Sequence, residues 1–198
     1  MWKNNRRLSL VITLVFASTT FGQSNISISP KFSLDIYGDH ILSTKGIPDA
    51  SIEIENNTTI GFEISSNTKS SLNYGVGIMY LFPRGTEFNQ SGNFNFLPLY
   101  ILGQVEILNI DEDTNVRLIG NLGYNLMFNG DKAYKSNLSL SGGIYIAAGL
   151  RIFIDRYFVE GLYKSYEGTI KIGNDSDQLN VAGIVYTTLS VGFGITFY

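Results

Sequence analysis

The stretch Leu72-Asn73-Tyr74-Gly75-Val76-Gly77-Ile78-Met79-Tyr80-Leu81-Phe82 places a large apolar residue at every even position. Small or polar residues (Asn73, Gly75 and Gly77) separate the first of them. A period of two is the repeat of a β-strand, because successive side chains point to opposite faces of the sheet. The stretch therefore predicts a strand with one continuous apolar face.

The same repeat recurs along the rest of the chain. Alternating apolar sets cover residues 26–36, 52–64, 72–82, 97–107, 116–126, 144–154, 157–163 and 185–197. No segment beyond the N-terminal region is apolar for the length that a membrane helix needs. The pattern predicts an all-β protein with eight strands.

The segments between these strands fall into two length classes. Short connections cover 66–71, 109–115 and 155–156, and longer ones cover 38–50, 83–93, 127–139 and 167–180. Short turns at one end and longer loops at the other are typical of bacterial outer-membrane barrels. We therefore expect an eight-stranded antiparallel up-and-down transmembrane β-barrel with short periplasmic turns and longer extracellular loops, located in the cell outer membrane. A soluble periplasmic barrel is the alternative.

Residues 1–22 have the order of a secretory signal peptide. Lys3, Arg6 and Arg7 precede an apolar run over 8–16, and small residues follow it up to Gly22. The alternative is a membrane anchor, but the run is about half of the ~20 residues that a spanning helix requires. We expect residues 1–22 to be cleaved and residues 23–198 to form a single barrel domain.

The composition limits the classes of partner. The chain has no cysteine, which excludes disulfides, and 14 basic against 17 acidic residues give a net charge of −3. Loss of the three signal-segment cations would make the mature part more acidic. This balance argues against a nucleic-acid partner.

If the apolar face meets lipid, the opposite face fills the lumen. That face carries four cations and four anions, Lys31, Asp35, Glu63, Glu106, Arg117, Arg151, Glu160 and Lys164. Eight strands enclose only enough space for side chains, so these charges should pair with one another. We expect a structural charge network and a plugged lumen, with a narrow ion path or proton relay as the alternative.

Three details do not follow the simple pattern. Pro98 falls inside the fourth strand, and a bulge near 96–98 would accommodate it. Pro30 is easiest to place if the first paired strand begins there. The second strand continues back to Ile52 through Asn56 and Thr58, so it could project beyond the membrane.

The last residues, Val191-Gly192-Phe193-Gly194-Ile195-Thr196-Phe197-Tyr198, resemble the C-terminal strand of outer-membrane barrel proteins. The segment Leu97-Pro98-Leu99-Tyr100 resembles the start of a middle strand in the OmpA/OmpX-like "outer membrane protein beta-barrel domain" group of small Gram-negative barrels. The resemblance implies insertion by the barrel-assembly machinery, which reads a terminal aromatic residue. It also implies roles in adhesion, envelope integrity or complex assembly.

Candidate catalytic and metal-binding residues are few. Similar barrels include lipid A-modifying enzymes that use a histidine and a serine, but His40 and Ser43 have odd spacing, which puts them on opposite faces of a strand. The acidic runs 111–113 and 175–177 could hold a hard cation, yet neither has a spaced ligand motif. We expect no catalytic, cofactor or metal site.

The sequence therefore predicts a non-enzymatic outer-membrane barrel with a plugged polar lumen, acting in surface interaction, adhesion or envelope structure. A small pore or transport component and a lipid A-modifying enzyme are the alternatives. The expected partners are outer-membrane lipid, the barrel-assembly machinery during insertion, and an extracellular or envelope protein.

Overall fold

The computed structural model describes residues 25–44, 47–53, 56–67, 71–82, 94–129, 138–172 and 181–198. They form nine strands: β1 (Asn25–Thr44), β2 (Ile47–Glu53), β3 (Asn57–Asn67), β4 (Leu72–Leu81), β5 (Phe94–Asn109), β6 (Thr114–Asn129), β7 (Leu138–Ile154), β8 (Tyr157–Ile172) and β9 (Val181–Ile195). The predicted signal peptide lies outside the described residues. In the described part of the chain, no helix is long and apolar enough to cross a membrane.

The sheet closes on itself. From β3 to β9 each strand pairs antiparallel with the next one along the chain, and β1 pairs with both β3 and β9. The closing β1–β9 ladder runs from Lys31↔Gly194 to Thr44↔Ala182. The predicted eight-stranded antiparallel barrel is confirmed, because β2 and β3 together occupy one of the eight positions around it.

β2 and β3 both pair with β1 and keep one register. Asp39 pairs with Glu53 in β2, and Asp35 pairs with Asn57 in β3, with three residues between them on each strand. The expected loop over 38–50 is therefore largely a β-hairpin, since β1 continues to Thr44 and β2 begins at Ile47. In this hairpin the backbone N–H and C=O groups of the two strands hydrogen-bond to each other, outside the alternating apolar sets. Hydrophobic alternation therefore does not reveal the pairing.

An apolar belt surrounds the barrel. The side chains that alternate outward are exposed on every strand of the wall, with Ile101 61% and Phe193 60% exposed. Tyr74, Tyr124 and Tyr163 belong to the same outward set. A continuous apolar surface of this extent belongs in lipid, because soluble monomers rarely expose large contiguous apolar patches.

Pro98 and Pro30, the two prolines in the predicted strands, interrupt one ladder each. Pro98 pairs with Asn125 in β6, while the β4–β5 ladder skips Leu97 and Pro98 without a change of register. The expected bulge there is wrong, and the shift in β5 lies between Glu106 and Leu108. β1 likewise begins at Asn25, ahead of the expected start, because Pro30 pairs with β3 and interrupts only the β9 side.

Candidate functional site

The predicted lumen charges lie on the inward faces of β1, β3, β5, β6, β7 and β8. Six of the eight side chains are buried: Lys31, Asp35, Glu63, Arg151, Glu160 and Lys164. Glu106 and Arg117 are only partly covered, at the end of the barrel where the short turns lie. The structure divides the eight charges into three separate groups.

The largest group joins two cations and two anions, and we call it the ion cluster (Lys31, Glu63, Arg151 and Glu160). Lys31 Nζ lies 2.6 Å from Glu63 Oε1 and 3.0 Å from Glu160 Oε1. Arg151 Nη2 lies 2.9 Å from Glu63 Oε2 and 2.5 Å from Glu160 Oε2. Each carboxylate thus contacts both cations, and the cluster is neutral as a whole.

The second group is the buried pair of Lys164 and Asp35. Lys164 Nζ lies 3.3 Å from Asp35 Oδ1 and donates a hydrogen bond to Ser33 Oγ at 3.0 Å. The Thr59 hydroxyl donates to Asp35 Oδ2 at 3.4 Å. β8 carries Lys164 four residues beyond Glu160, so the pair lies further from the turns than the ion cluster does.

The third group is weaker. Arg117 Nη2 and Glu106 Oε2 are 3.9 Å apart, with 17% and 31% of the side chains exposed. Arg117 also donates from Nε to Asn115 Oδ1 at 2.9 Å, and its guanidinium lies 4.7 Å from the Phe153 ring centroid. An exposed pair at this distance contributes little to stability, typically less than about 1 kcal/mol.

Closely packed aromatic rings fill the lumen on the other side of these charges, a feature that the sequence analysis missed. We call it the aromatic layer (Phe96, Tyr100, Tyr145, Tyr166 and Tyr186). The Tyr166 ring lies 5.1 Å from Tyr145, 5.5 Å from Tyr186 and 5.7 Å from Phe96, measured between centroids. Buried apolar side chains pack around the rings, namely Met79, Leu81, Leu102, Met127 and Ile184.

A signal for this layer was present in the sequence. Tyr145 shares the parity of Arg151 along β7, Tyr166 shares that of Glu160 and Lys164 along β8, and Tyr186 shares that of Ser190 along β9. Continuing the inward-facing parity from the charged residues toward the loop end of each strand places these rings in the lumen.

Tyr100 joins the two levels of the lumen. Its hydroxyl donates a hydrogen bond of 2.8 Å to Glu63 Oε1, and its ring lies 5.4 Å from Tyr145. Lys31 Nζ lies 5.7 Å from the Tyr100 ring centroid. Side chains therefore occupy the cross-section at two consecutive levels, first by ion pairs and then by rings.

The turn end of the lumen holds a polar cavity of about 40 Å³. Hydroxyl and amide side chains line it, including Ser27, Ser29, Asn73 and Gln104, and Arg151 of the ion cluster lies at its inner end.

The other candidate residues are His40, Ser43 and the two acidic runs. His40 and Ser43 are both on the outer part of β1, where the backbone of His40 pairs with Ile52 and Tyr186, and their side chains lie outside the described residues. The acidic run 175–177 also lies outside the description. Among the described residues, no group of three or more histidine, cysteine or acidic residues is arranged to hold a metal ion.

The turn over 111–113 stabilises its own first carboxylate. Asp113 donates its backbone N–H to Asp111 Oδ1 at 3.0 Å. Hydrogen bonds from the Thr114 side chain and from the Asp113 amide lower the pKa of the exposed Asp111 carboxyl.

Solved structures share this fold. The outer membrane protein AlkL, determined by solid-state NMR in lipid bilayers, has a TM-score of 0.59 at 16% identity over 89% of this chain and 92% of that one. OprG from Pseudomonas aeruginosa has a TM-score of 0.53 at 14% identity, over 88% and 96%. Neisserial surface protein A has a TM-score of 0.51 at 12% identity, over 87% and 97%. No family model and no curated protein matches the sequence.

At such identities the likeness is one of fold. The chain is a small β-barrel of the outer-membrane type, and the predicted resemblance to this group is confirmed at the level of architecture. With its closed wall and apolar belt, the protein is assigned to the outer membrane.

Proposed function

We propose that the protein is a non-enzymatic, non-conducting outer-membrane barrel that acts by contacts at its loop end. The observation that carries this proposal is the filled lumen. A steady ion path would have to displace both the ion cluster and the aromatic layer, and removal of one partner from a buried ion pair costs about 3–5 kcal/mol.

The wall is extended on one side at the loop end. Beyond Asp35, the last residue that pairs with β3, β1 continues from Ile36 to Thr44. At roughly 3.3 Å per residue this is about 30 Å of additional strand. β2 pairs with it on one side and β9 on the other, up to Ala182. Ile36, at the start of this extension, still belongs to the exposed apolar set.

The extension offers a strand edge. Among the described strands, β2 pairs with β1 alone, and its sequence carries Asp49 and Glu53. An unpaired strand edge is a template for an extended segment of another protein, which adds to the sheet through main-chain hydrogen bonds. We infer that an extracellular or envelope protein binds here, at the segment 39–53.

Conductance tests the closed lumen. Purified protein in planar bilayers should give no steady single-channel steps. A reproducible unit conductance from the unmodified protein would contradict the proposal and favour the small-pore alternative.

Adhesion tests the interaction surface. Cells that display the full chain should adhere to protein-coated surfaces, and replacement of residues 39–53 by a short Gly-Asn turn should abolish the adhesion. Shortening of the segment 84–92 is the matched control and should leave adhesion unchanged. Equal adhesion of both variants would remove the hairpin from the proposal.

Lipid A analysis tests the non-enzymatic assignment. The mass spectrum of lipid A should be the same in cells with and without the protein. A new lipid A species that disappears in His40→Ala would establish the enzymatic alternative.

A further inference from the structure

On the β5–β6 hairpin, exposed apolar residues continue toward the turn past the level where β4 begins. Leu72, the first residue of β4, pairs with Val105 in β5. Further along, Ile107, Leu108 and Ile110 are 55%, 55% and 60% exposed, and we call them the apolar projection. They lie at the turn end, which faces the periplasm in barrels of this architecture. The projection is therefore an apolar surface at the end of the barrel opposite to the proposed interaction surface.

A β-bulge turns the projection outward. Over 96–104, the even-numbered side chains of β5 point into the lumen and are buried. The pairing with β6 shifts between Glu106 and Leu108, so Ile107 is an extra residue. An extra residue transfers the even positions that follow it to the outer face, since side chains alternate along a strand. Leu108 and Ile110 therefore join the outward apolar set, where a regular strand would direct them into the lumen.

An acidic turn follows the projection directly. All three side chains of the run 111–113 are acidic and exposed. The backbone N–H of Ile110 donates to the Thr114 carbonyl at 2.9 Å and closes the hairpin. The N–H of Asp155, in the turn between β7 and β8, donates to the Asp113 carbonyl at 2.8 Å. These hydrogen bonds fix the acidic turn next to the last apolar residue of the projection.

The turn carries an excess of negative charge. Among the described residues, no cation lies within ion-pair distance of the carboxylates of 111–113. Arg156 lies 3.5 Å from Asp155, and Arg117 faces Glu106, so these cations have carboxylates of their own. A cation next to an apolar surface therefore complements this end of the hairpin.

Membrane lipid supplies both parts. The projection continues the apolar belt, so acyl chains of the periplasmic leaflet cover it, and the headgroup then lies at the level of the acidic turn. An ethanolamine headgroup carries an ammonium with three N–H donors, as a lysine side chain does, whereas a glycerol headgroup leaves the lipid phosphate as the only charge. A metal ion alone would leave the projection uncovered. A second copy placed symmetrically would bring two acidic turns together, which like-charge repulsion disfavours.

We propose that the β5–β6 hairpin selects a phospholipid with an ethanolamine headgroup. The acyl chains of this lipid lie against the apolar projection, and its ammonium donates hydrogen bonds to the carboxylates of 111–113. One exposed ion pair of this kind corresponds to a preference of about threefold to fivefold over a lipid without the cation.

Solution NMR of the full barrel in lipid nanodiscs tests this selection. Phosphatidylethanolamine and phosphatidylglycerol with identical acyl chains are titrated separately into phosphatidylcholine discs. The backbone amide signals of 111–113 and the methyl signals of Ile110 are followed. Phosphatidylethanolamine should shift these signals to saturation, at a mole fraction at least about threefold below any at which phosphatidylglycerol does so. Equal responses to the two lipids would overturn the proposal.

Variants without the charges separate the acidic turn from other carboxylates. The triple variant Asp111→Asn, Glu112→Gln and Asp113→Asn should lose the preference at nearly constant side-chain shape. Asp155→Asn is the matched control and should keep it, because that carboxylate is already paired and asparagine tolerates its backbone φ of 54°. If the triple variant does not fold, the unmodified protein in about 1 M NaCl serves instead, where screening should abolish the preference. A preference that survives either change would overturn the proposal, as would shifts that depend on the number of barrels per disc and so report a second copy.

Discussion

The two halves of the lumen are filled by side chains of opposite character, although one barrel wall surrounds both. The half near the turns is made of ion pairs, hydroxyls and amides, whereas the half near the loops is made of packed aromatic rings and methionines. The polar half depends on each group keeping its partner, because an unpaired buried charge is costly. The stability of the ring half depends on filled volume, because side chains that line a void lose packing contacts. The two halves should therefore respond differently to substitution.

The largest effect is expected in the ion cluster. Arg151→Met leaves Glu63 and Glu160 with Lys31 as their only cation within the cluster, and should lower the free energy of unfolding by about 3–5 kcal/mol. Arg117→Met is the matched control and should cost less than about 1 kcal/mol, because its ion pair is long and partly exposed. Urea titration in lipid vesicles, read by heat-dependent gel mobility, measures both. Equal losses of unfolding free energy in the two variants would contradict the division of the charges into groups.

In the ring half, Tyr166→Ala should cost about 3 kcal/mol, since it removes the ring that contacts Phe96, Tyr145 and Tyr186. Tyr166→Phe keeps the ring and should stay within about 1 kcal/mol of the unmodified protein. The same titration applies. A loss in Tyr166→Phe as large as that in Tyr166→Ala would mean that the hydroxyl, and not the volume, matters in this half.

The junction between the halves should show an intermediate effect. Tyr100→Phe removes the donor to Glu63 Oε1 and should cost about 1–2 kcal/mol, because the bond is made to a charged group that keeps its two cations. Tyr145→Phe is the control, because the hydroxyl of this neighbouring ring bonds no carboxylate in the described residues. It should lower the free energy of unfolding by less than Tyr100→Phe does. A double variant of Tyr100→Phe and Arg151→Met measures the coupling between the levels.

The smallest effect lies outside the lumen, in the turn over 111–113. A lowered pKa means that the ionised Asp111 carboxyl favours the folded state, so its contribution is present above the ordinary value of 3.8 and is lost as the pH falls through the lowered value. The stability difference between the unmodified protein and Asp111→Asn should therefore shrink below that pH. Thr114→Val, which removes the main donor, should reduce the same difference at neutral pH. A difference that is independent of pH would contradict the assignment.

Much of the barrel could be predicted from period-two alternation, because lipid on one side and a filled lumen on the other impose opposite chemistry on neighbouring residues. The inward position of Arg151 and Glu160 followed directly from that parity. The division into three charge groups did not, since it depends on the register that brings Lys31 and Glu160 together across the lumen.

Two features could not be derived from hydropathy. Ile36 is an extra residue in β1 relative to β9, where the register shifts between Asp35 and Tyr37, so the inward and outward parity of β1 changes beyond it. Hydropathy therefore predicts a loop over 38–50, where the structure has a hairpin. In the aromatic layer, tyrosine fits either face of a strand, because its ring is apolar and its hydroxyl polar.

The pairing of the ion cluster also has a consequence for how the barrel assembles. Arg151 and Glu160 pair directly across the tight β7–β8 hairpin, and Lys31 and Glu63 lie on the adjoining strands β1 and β3. Hairpins form early because their contacts are local in sequence. Each half of the cluster can thus neutralise its own charge within one hairpin before it leaves water. Closure of β1 on β9 then adds the cross-contacts between these two neutral pairs, so no charge of the ion cluster has to cross the apolar interior of the membrane unpaired, whereas Lys164 and Asp35 meet only at closure.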